Sequence, residues 1–441
     1  MMRLSNGGNS STFFNNFKYN KYALLMKIIS RFLIFCTIML MQALVASAQT
    51  QLKSIDDFLQ EAIRLSPVLK DYKNQQQSLK IDSLLALATK KPQVSASAAG
   101  LYAPVVRGYG YDEVLTNGQA LEALLTVNYD VLNKKRINNQ LAGVKLQNDS
   151  VKYASQLSLF DLKKSITDQY ISAYASQQEV AFNQELTHLL QQEEHLLKQL
   201  TRSNVYKQSE YLTFLVTLQQ QQLALKQAEI QYKNDYANLN YLAGITDTAT
   251  VTLAEPKLER KVAQMDNGFF VRRFTIDSLK NLNQKQAIDL NYQPKFGVYA
   301  NGGYNSSFVL QPYKNFGASV GFTLSIPIYD GHQRKMQYEK LSLGLSSSAY
   351  YKDFFVRQQQ QQLRLIAQQL HASESLFGQL NQQLKFAKGL IEVDSKLLRT
   401  GDVRVADYVI AINNYLAAQQ LLRQTTTNRL KLINQFNYWN N

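Results

Sequence analysis

The sequence predicts an α+β membrane protein built as a tandem repeat of helix, strand, strand, long helix and helix. From Phe316 to Tyr329 the chain alternates without a slip, with Phe316, Ala318, Val320, Phe322, Leu324, Ile326 and Ile328 on one face and Gly317, Ser319, Gly321, Thr323, Ser325 and Pro327 on the other. So pure a two-residue period suits a strand with lipid on one side and water on the other. About two hundred residues earlier Leu121, Ala123, Leu125, Val127, Tyr129 and Val131 alternate with Glu122, Thr126, Asn128 and Asp130, and only Leu124 breaks the pattern. Each of these strands precedes one very long helical pattern, and two shorter helical patterns in the same repeat together match its length.

At the N-terminus, Lys27 and Arg31 precede an apolar run from Phe32 to Met41, and Ala46-Ser47-Ala48 has the small-x-small pattern of a signal-peptidase site. Residues 1–48 therefore read as a signal peptide and the mature chain is expected to begin at Gln49. Met26 is a second candidate start, which would make residues 1–25 an upstream extension. The run is too short, and too close to a cleavage motif, to be a spanning helix. The single cysteine, Cys36, lies inside it without the small residues a lipoprotein signal needs. The mature chain is thus expected to carry no thiol, no disulfide and no lipid on cysteine.

Repeat one covers residues 49–245. Ser54 to Lys90 reads as a helix, Pro92-Gln93 opens a strand with Val94, Ala96 and Ala98 on one face, and Leu132-Asn133-Lys134 ends the second strand. The loop from Tyr102 to Gln119, rich in Gly, Asn and Tyr, is expected outside the cell. Asn139 to Leu200 is a helical pattern of about 62 residues, roughly 90 Å long, and its companions Ser54 to Lys90 and Glu210 to Tyr241 total about 69 residues. Residues 246–263 contain Pro256, lose helical periodicity and form the linker.

Repeat two, residues 264–441, follows the same plan. A helix from Gln264 to Tyr292 leads to Pro294-Lys295 and a strand with Phe296, Val298, Ala300, Gly302 and Tyr304 on one face. The loop from Asn305 to Asn315 comes next, then the strand from Phe316, closed by Tyr329-Asp330-Gly331. The long helix His332 to Arg399 and the short helix Ala406 to Tyr438 complete the repeat. Phe377, Leu380, Leu384, Ala387 and Ile391 follow spacings of three and four, the seam of a coiled coil. These lengths predict a wall of antiparallel helices about 100 Å long.

Two repeats give four strands. In hydrocarbon an open strand edge leaves backbone groups unpaired, so membrane strands close into barrels, and the smallest such barrels have about eight strands. Several copies must therefore share one barrel.

The net charge is +15, of which five basic residues fall within residues 1–48. The remaining basic residues do not cluster with aromatics on one segment, which argues against a nucleic-acid partner. Gly317-Ala318-Ser319-Val320-Gly321 fits G-x-S-x-G, but a nucleophile elbow needs a strand-to-helix turn and this segment sits inside a strand. Glu185 and His188 form half of a di-iron pattern, while His195 has Gln192 where the second glutamate would stand. No Gly-rich phosphate loop is present and no cofactor is implied. The reading excludes an enzyme and favours a passive conduit. A periplasmic adaptor is the rival reading, because it also pairs long helical hairpins with β-structure, but it carries one hairpin and no lipid-facing strands.

The mature chain resembles the TolC family of outer-membrane efflux proteins over nearly its whole length. The resemblance rests on the segment from Ile55-Asp56-Asp57-Phe58 to Leu65-Ser66-Pro67, on Ser325-Ile326-Pro327-Ile328-Tyr329-Asp330-Gly331, and on Arg399-Thr400-Gly401-Asp402-Val403 leading to Ala406-Asp407-Tyr408. It implies a homotrimer in the outer membrane of a Gram-negative bacterium, each chain giving four strands to one barrel that continues as a helical coiled-coil tunnel through the periplasm. It also implies service as the exit duct of a tripartite efflux pump or type I secretion system, with a periplasmic adaptor and an inner-membrane pump as partners. The turns between long and short helices would be the tips an adaptor grips. They involve Arg202 and Asn204 in repeat one and Arg399, Gly401 and Asp402 in repeat two. Asn204 and Gly401 suit a left-handed backbone. Asp407 matches the first aspartate of the family's entrance ring, Ile410 stands where a second would be, and Glu210 holds the related place in repeat one. Three Asp407 carboxylates near one axis would repel one another and titrate at raised pKa values.

Overall fold

The computed structural model describes residues 52–116, 118–247, 249–261, 268–307 and 314–440. The expected signal peptide, its cleavage site, Cys36 and the expected start of the repeat-two helix at Gln264 lie outside them. Lys53 and residues 249–254 belong to one small unit, in which Lys53 pairs in parallel with Leu253: Lys53 N donates to Thr252 O at 3.1 Å and Ala254 N to Lys53 O at 2.9 Å. All other elements belong to a second unit.

In repeat one the elements are α1 (Ile55–Leu65), α2 (Pro67–Ala88), β1 (Gln93–Tyr102), the short α3 (Glu113–Thr116), β2 (Gln119–Asp130), α4 (Lys134–Arg202) and α5 (Gln208–Ala243). Repeat two gives α6 (Gly268–Asn291), β3 (Lys295–Ser306), β4 (Phe316–Ser325), α7 (Gln333–Thr400) and α8 (Val405–Trp439). The elements differ from the expected ones in three details.

The helix expected over Ser54 to Lys90 is two helices. Pro67 has no N–H to donate and disfavours helical backbone at Ser66, which instead takes φ −53° and ψ 116° and caps α2 by accepting from Leu69 N at 3.4 Å. β4 stops at Ser325, although the alternation runs on to Tyr329. Its partner β3 begins at Lys295, which pairs with Ser325, and Pro327 cannot donate to a ladder. α4 begins at Lys134, directly after β2, and runs for 69 residues, about 100 Å. Among the described residues no helix is apolar enough over a sufficient length to cross a membrane.

The strands form one antiparallel sheet in the order β1-β2-β3-β4, with the two repeats meeting where Leu125 pairs with Gly302. The register lines up like with like. Ala96, Leu125, Gly302 and Ala318 occupy one row, whereas Ser95, Thr126, Asn301 and Ser319 occupy the next. One face is thus apolar and the other polar, and on the polar face Ser319 Oγ donates to Asn301 Oδ1 at 2.5 Å. One glycine is a structural requirement: a Cβ on Gly303, where φ is 154°, would lie 2.1 Å from Ala123 O. At Gly321 a Cβ would lie 2.5 Å from the end of the Tyr299 ring, which would have to shift. Large apolar side chains remain outside, among them Val320, Phe322 and Ile328, which is 95 % exposed.

The helices pair as α4 with α5 and α7 with α8. At the end far from the strands, Leu186, Leu190 and Leu197 of α4 pack with Phe214 and Leu218 of α5, Ile391 and Leu398 of α7, and Val405, Tyr408, Ala411 and Ile412 of α8. Both hairpins share this core. The coiled-coil seam is present: Leu380, Ala387 and Ile391 are buried, Phe377 and Leu384 half-buried, and the same spacing continues through Asp394 to Leu398. Nearer the strands, Ile366 and Leu370 of α7 pack on Ile433 and Phe436 of α8.

Candidate functional site

Both turns joining a long helix to a short one close in the same way. α4 is followed by Ser203 and by Asn204 at φ 57°, and Val205 N reaches back to Leu200 O at 2.9 Å. α7 is followed by Gly401 at φ 83°, and Asp402 N reaches back to Leu397 O at 3.0 Å. The left-handed residue lets the next amide satisfy a carbonyl the helix leaves unpaired. Asn204 and Gly401 thus hold the backbone the sequence assigned them. The turns also touch, because a Cβ on Gly401 would come within 2.8 Å of Val205 Cγ1. Position 401 therefore needs glycine for both conformation and space.

Each short helix starts on an extended cation, Lys207 (ψ 151°) or Arg404 (ψ 143°), with an acid three residues on. Glu210 accepts from Lys207 N at 3.1 Å, and Asp407 accepts from the Arg404 guanidinium at 2.8 Å through both oxygens. An acid in the first turn also meets the positive end of the helix dipole. The Arg404 hydrogen bonds hold the Asp407 carboxyl below the usual carboxylate range. Within one chain this is opposite to the rise expected from three aspartates at an axis, because Arg404 supplies the counter-charge. Ile410, one turn on, is exposed.

Behind the turns lies an acidic cluster the sequence reading missed. Asp394 sits on the apolar seam and is buried, and burial, with the charge of Asp407 second, pushes its carboxyl up. Glu193 of α4 is 4 % exposed. Its Oε1 accepts from Ser395 Oγ at 2.7 Å and lies 4.0 Å from the Arg399 guanidinium, while its Oε2 has no hydrogen-bond partner. The Tyr408 hydroxyl, fully buried beside them, is pushed far up by burial and then by Glu193. Tyr206, also missed, donates to Leu398 O at 3.0 Å and Val403 O at 2.9 Å, tying the repeat-one turn to the repeat-two turn. Arg202 and Asp402 are exposed, and Arg399 is mostly so. A cavity of about 380 Å³ opens between the hairpins, lined by Phe182, Leu189, Lys388, Ser395, Tyr408 and Tyr415.

One of these residues carried a readable signal. Asp394 is a charge on an otherwise apolar heptad stripe, where burial without a partner is costly. Tyr206 and Glu193 carried none, because their partners lie about 190 to 200 residues away in sequence.

A four-stranded sheet, with no partner among the described residues for the outer edges of β1 and β4, is thus carried on paired helical hairpins with matched turns. The chain has the fold of the TolC-family outer-membrane channels. It is similar to the channel protein CusC, with TM-score 0.72 and 11 % identity over 87 % of this chain and 91 % of that one. It is also similar to the outer membrane protein VceC of Vibrio cholerae, with TM-score 0.69 and 13 % identity over 88 % of this chain and 96 % of that one. For the MtrE outer membrane channel of Neisseria gonorrhoeae, in its open state, the TM-score is 0.71 and the identity 10 % over 88 % of each chain. The sequence itself matches no protein-family model and no curated protein.

Proposed function

We propose that the chain is the outer-membrane exit duct of a tripartite efflux pump: a homotrimer whose twelve strands close one barrel, continued by a helical tunnel through the periplasm. The carrying observation is the sheet, which has one apolar face, one polar face and, among the described residues, no partner for the outer edges of β1 and β4. Such edges are satisfied in a bilayer only by another copy. The fold shared with outer-membrane channels supports the same reading. Transport is passive, small molecules or peptides pass through the tunnel, and the energy comes from an inner-membrane pump reached through an adaptor. The adaptor grips the turns carrying Arg202, Asn204, Arg399, Gly401 and Asp402. Asp407 and Glu210 narrow the periplasmic aperture.

Single-channel conductance of the purified protein in planar bilayers, with a cross-linking count of subunits, tests this. A trimer that inserts, conducts weakly with cation preference, and loses that preference in Asp407→Ala is expected. A monomer that never inserts overturns the shared barrel, and an unchanged selectivity removes Asp407 from the aperture.

A further inference from the structure

The strand ends that face the helices are marked by charge. The start of β1, the end of β2, the start of β3 and the end of β4 lie at one end of the sheet. Lys90 and Lys91 precede β1, Lys134 and Lys135 open α4 just after β2, and Lys335 lies in the first turn of α7. All five lysines are exposed, and among the described residues none of them forms an ion pair. Two of the nearby acids are engaged with other groups. Asp289 accepts from the Arg334 guanidinium at 2.5 Å, Asp330 caps α7 by accepting from His332 N at 2.9 Å and Arg334 N at 2.8 Å, and Asp130 falls in the polar row of the sheet. Arg136 adds a further cation, its guanidinium donating only to carbonyls of residues 132, 290, 293 and 294. At the opposite end of the sheet the connecting segments carry Arg107 and Lys314 against Asp112 and Glu113, a balanced set.

A second observation comes from the apolar side chains beside the lysines. Val131, Leu132, Ile326 and Ile328 are exposed, and so are Tyr129 and Tyr329. Along the two strands that run toward the helices, apolar and aromatic side chains come first and lysines last: Tyr129, Val131 and Leu132 precede Lys134 after β2, and Ile326, Ile328 and Tyr329 precede Lys335 after β4. That is the order hydrocarbon, interface and headgroup impose on a membrane protein.

We infer that this lysine belt binds anionic phospholipid headgroups in the leaflet on the helical side of the membrane. The inference rests on the reading of the strands as membrane-spanning. Phosphate-bearing lipids with net negative charge, such as phosphatidylglycerol, are held there in preference to zwitterionic ones, each lysine near the surface contributing about fivefold at low salt. The balanced end has no such preference, so the belt also fixes which way the sheet sits across the bilayer.

The test places the full-length purified protein in phosphatidylcholine vesicles containing trace spin-labelled phosphatidylglycerol or spin-labelled phosphatidylcholine, and measures the protein-bound fraction of each label. Severalfold enrichment of the phosphatidylglycerol label is expected. It should fall toward parity in Lys134→Gln/Lys135→Gln/Lys335→Gln and in high salt, with the helical circular dichroism unchanged. Equal association of both labels with the wild-type protein overturns the inference while leaving the membrane strands intact, as does enrichment that the triple variant retains. No motionally restricted lipid of either kind means that the strands do not enter the bilayer, and both readings then fall.

Discussion

Tyr206→Phe is the most informative single change at the turns. The ring stays, so packing in the shared core is kept, and only the hydroxyl that bridges Leu398 O and Val403 O is lost. Leu398 O belongs to the last turn of α7, where helix carbonyls have no intrahelical partner. Removing the donor forfeits a net hydrogen bond of about 1 kcal/mol and strands at least one buried acceptor, so separation of the two turns becomes about 1–3 kcal/mol easier. At 1.4 kcal/mol per tenfold change, opening becomes about 5 to 150 times more populated. Amide hydrogen exchange reads this directly. Asp402 N, bonded to Leu397 O at 3.0 Å, should exchange faster by that factor in the variant. The seam amides near Ile366 should not change. Protection at Asp402 equal to wild type would refute the idea that Tyr206 locks the repeat-two turn.

Gly303→Ala should destabilise the sheet by several kcal/mol. The backbone conformation at φ 154° alone costs about 1–3 kcal/mol for a non-glycine residue, and the new Cβ also clashes with Ala123 O. A thermal midpoint equal to wild type in detergent would contradict the β2–β3 register. Asp394 gives a pH effect of unusual sign. Burial and Asp407 raise its folded pKa, so the folded state holds that proton more tightly than the unfolded chain does. Stability then rises as pH falls through the raised folded value and levels off below the ordinary carboxylate pKa of about 3.9. Asp394→Asn should be more stable than wild type at pH 7 and lack this rise, and urea midpoints measured from pH 7 to pH 4 check both points. Asp407 behaves oppositely, its pairing with Arg404 persisting above the ordinary carboxylate range and lost as pH falls through its lowered value. Ser66→Ala removes the α2 cap and should cost about 1 kcal/mol, read as a lower urea midpoint.

Period and punctuation made most of the architecture legible. Lipid-facing strands must alternate, and helices this long must bury a stripe, so both leave a pattern in a single sequence. The details that escaped depend on partners. β4 ends at Ser325 because β3 has no residue to offer beyond Lys295, and the alternation of β4 alone cannot reveal that. The break at Ser66-Pro67 was readable from a proline that cannot continue a helix, but the apolar pattern on both sides hid it. At the turns, the left-handed positions Asn204 and Gly401 could be read because residue type limits φ > 0. The locks Tyr206 and Glu193 are ordinary polar residues until the fold brings their partners near.

The sheet also limits how copies can meet. β1 and β4 are each 10 residues long and, as the first and last of four alternating strands, run antiparallel to each other. Placing β4 of one copy beside β1 of the next therefore continues the antiparallel order without a break, and any whole number of copies gives an even strand count. An odd number of strands per chain would force a parallel pair at every junction. The contact is heterologous, one edge against a different edge, so it must close as a ring or run on as an open filament. In a bilayer an open end leaves a row of unpaired backbone groups in hydrocarbon, which selects closure. In the ring proposed above, the exposed apolar face would meet lipid and the polar row of Ser95, Thr126, Asn301 and Ser319 would enclose water.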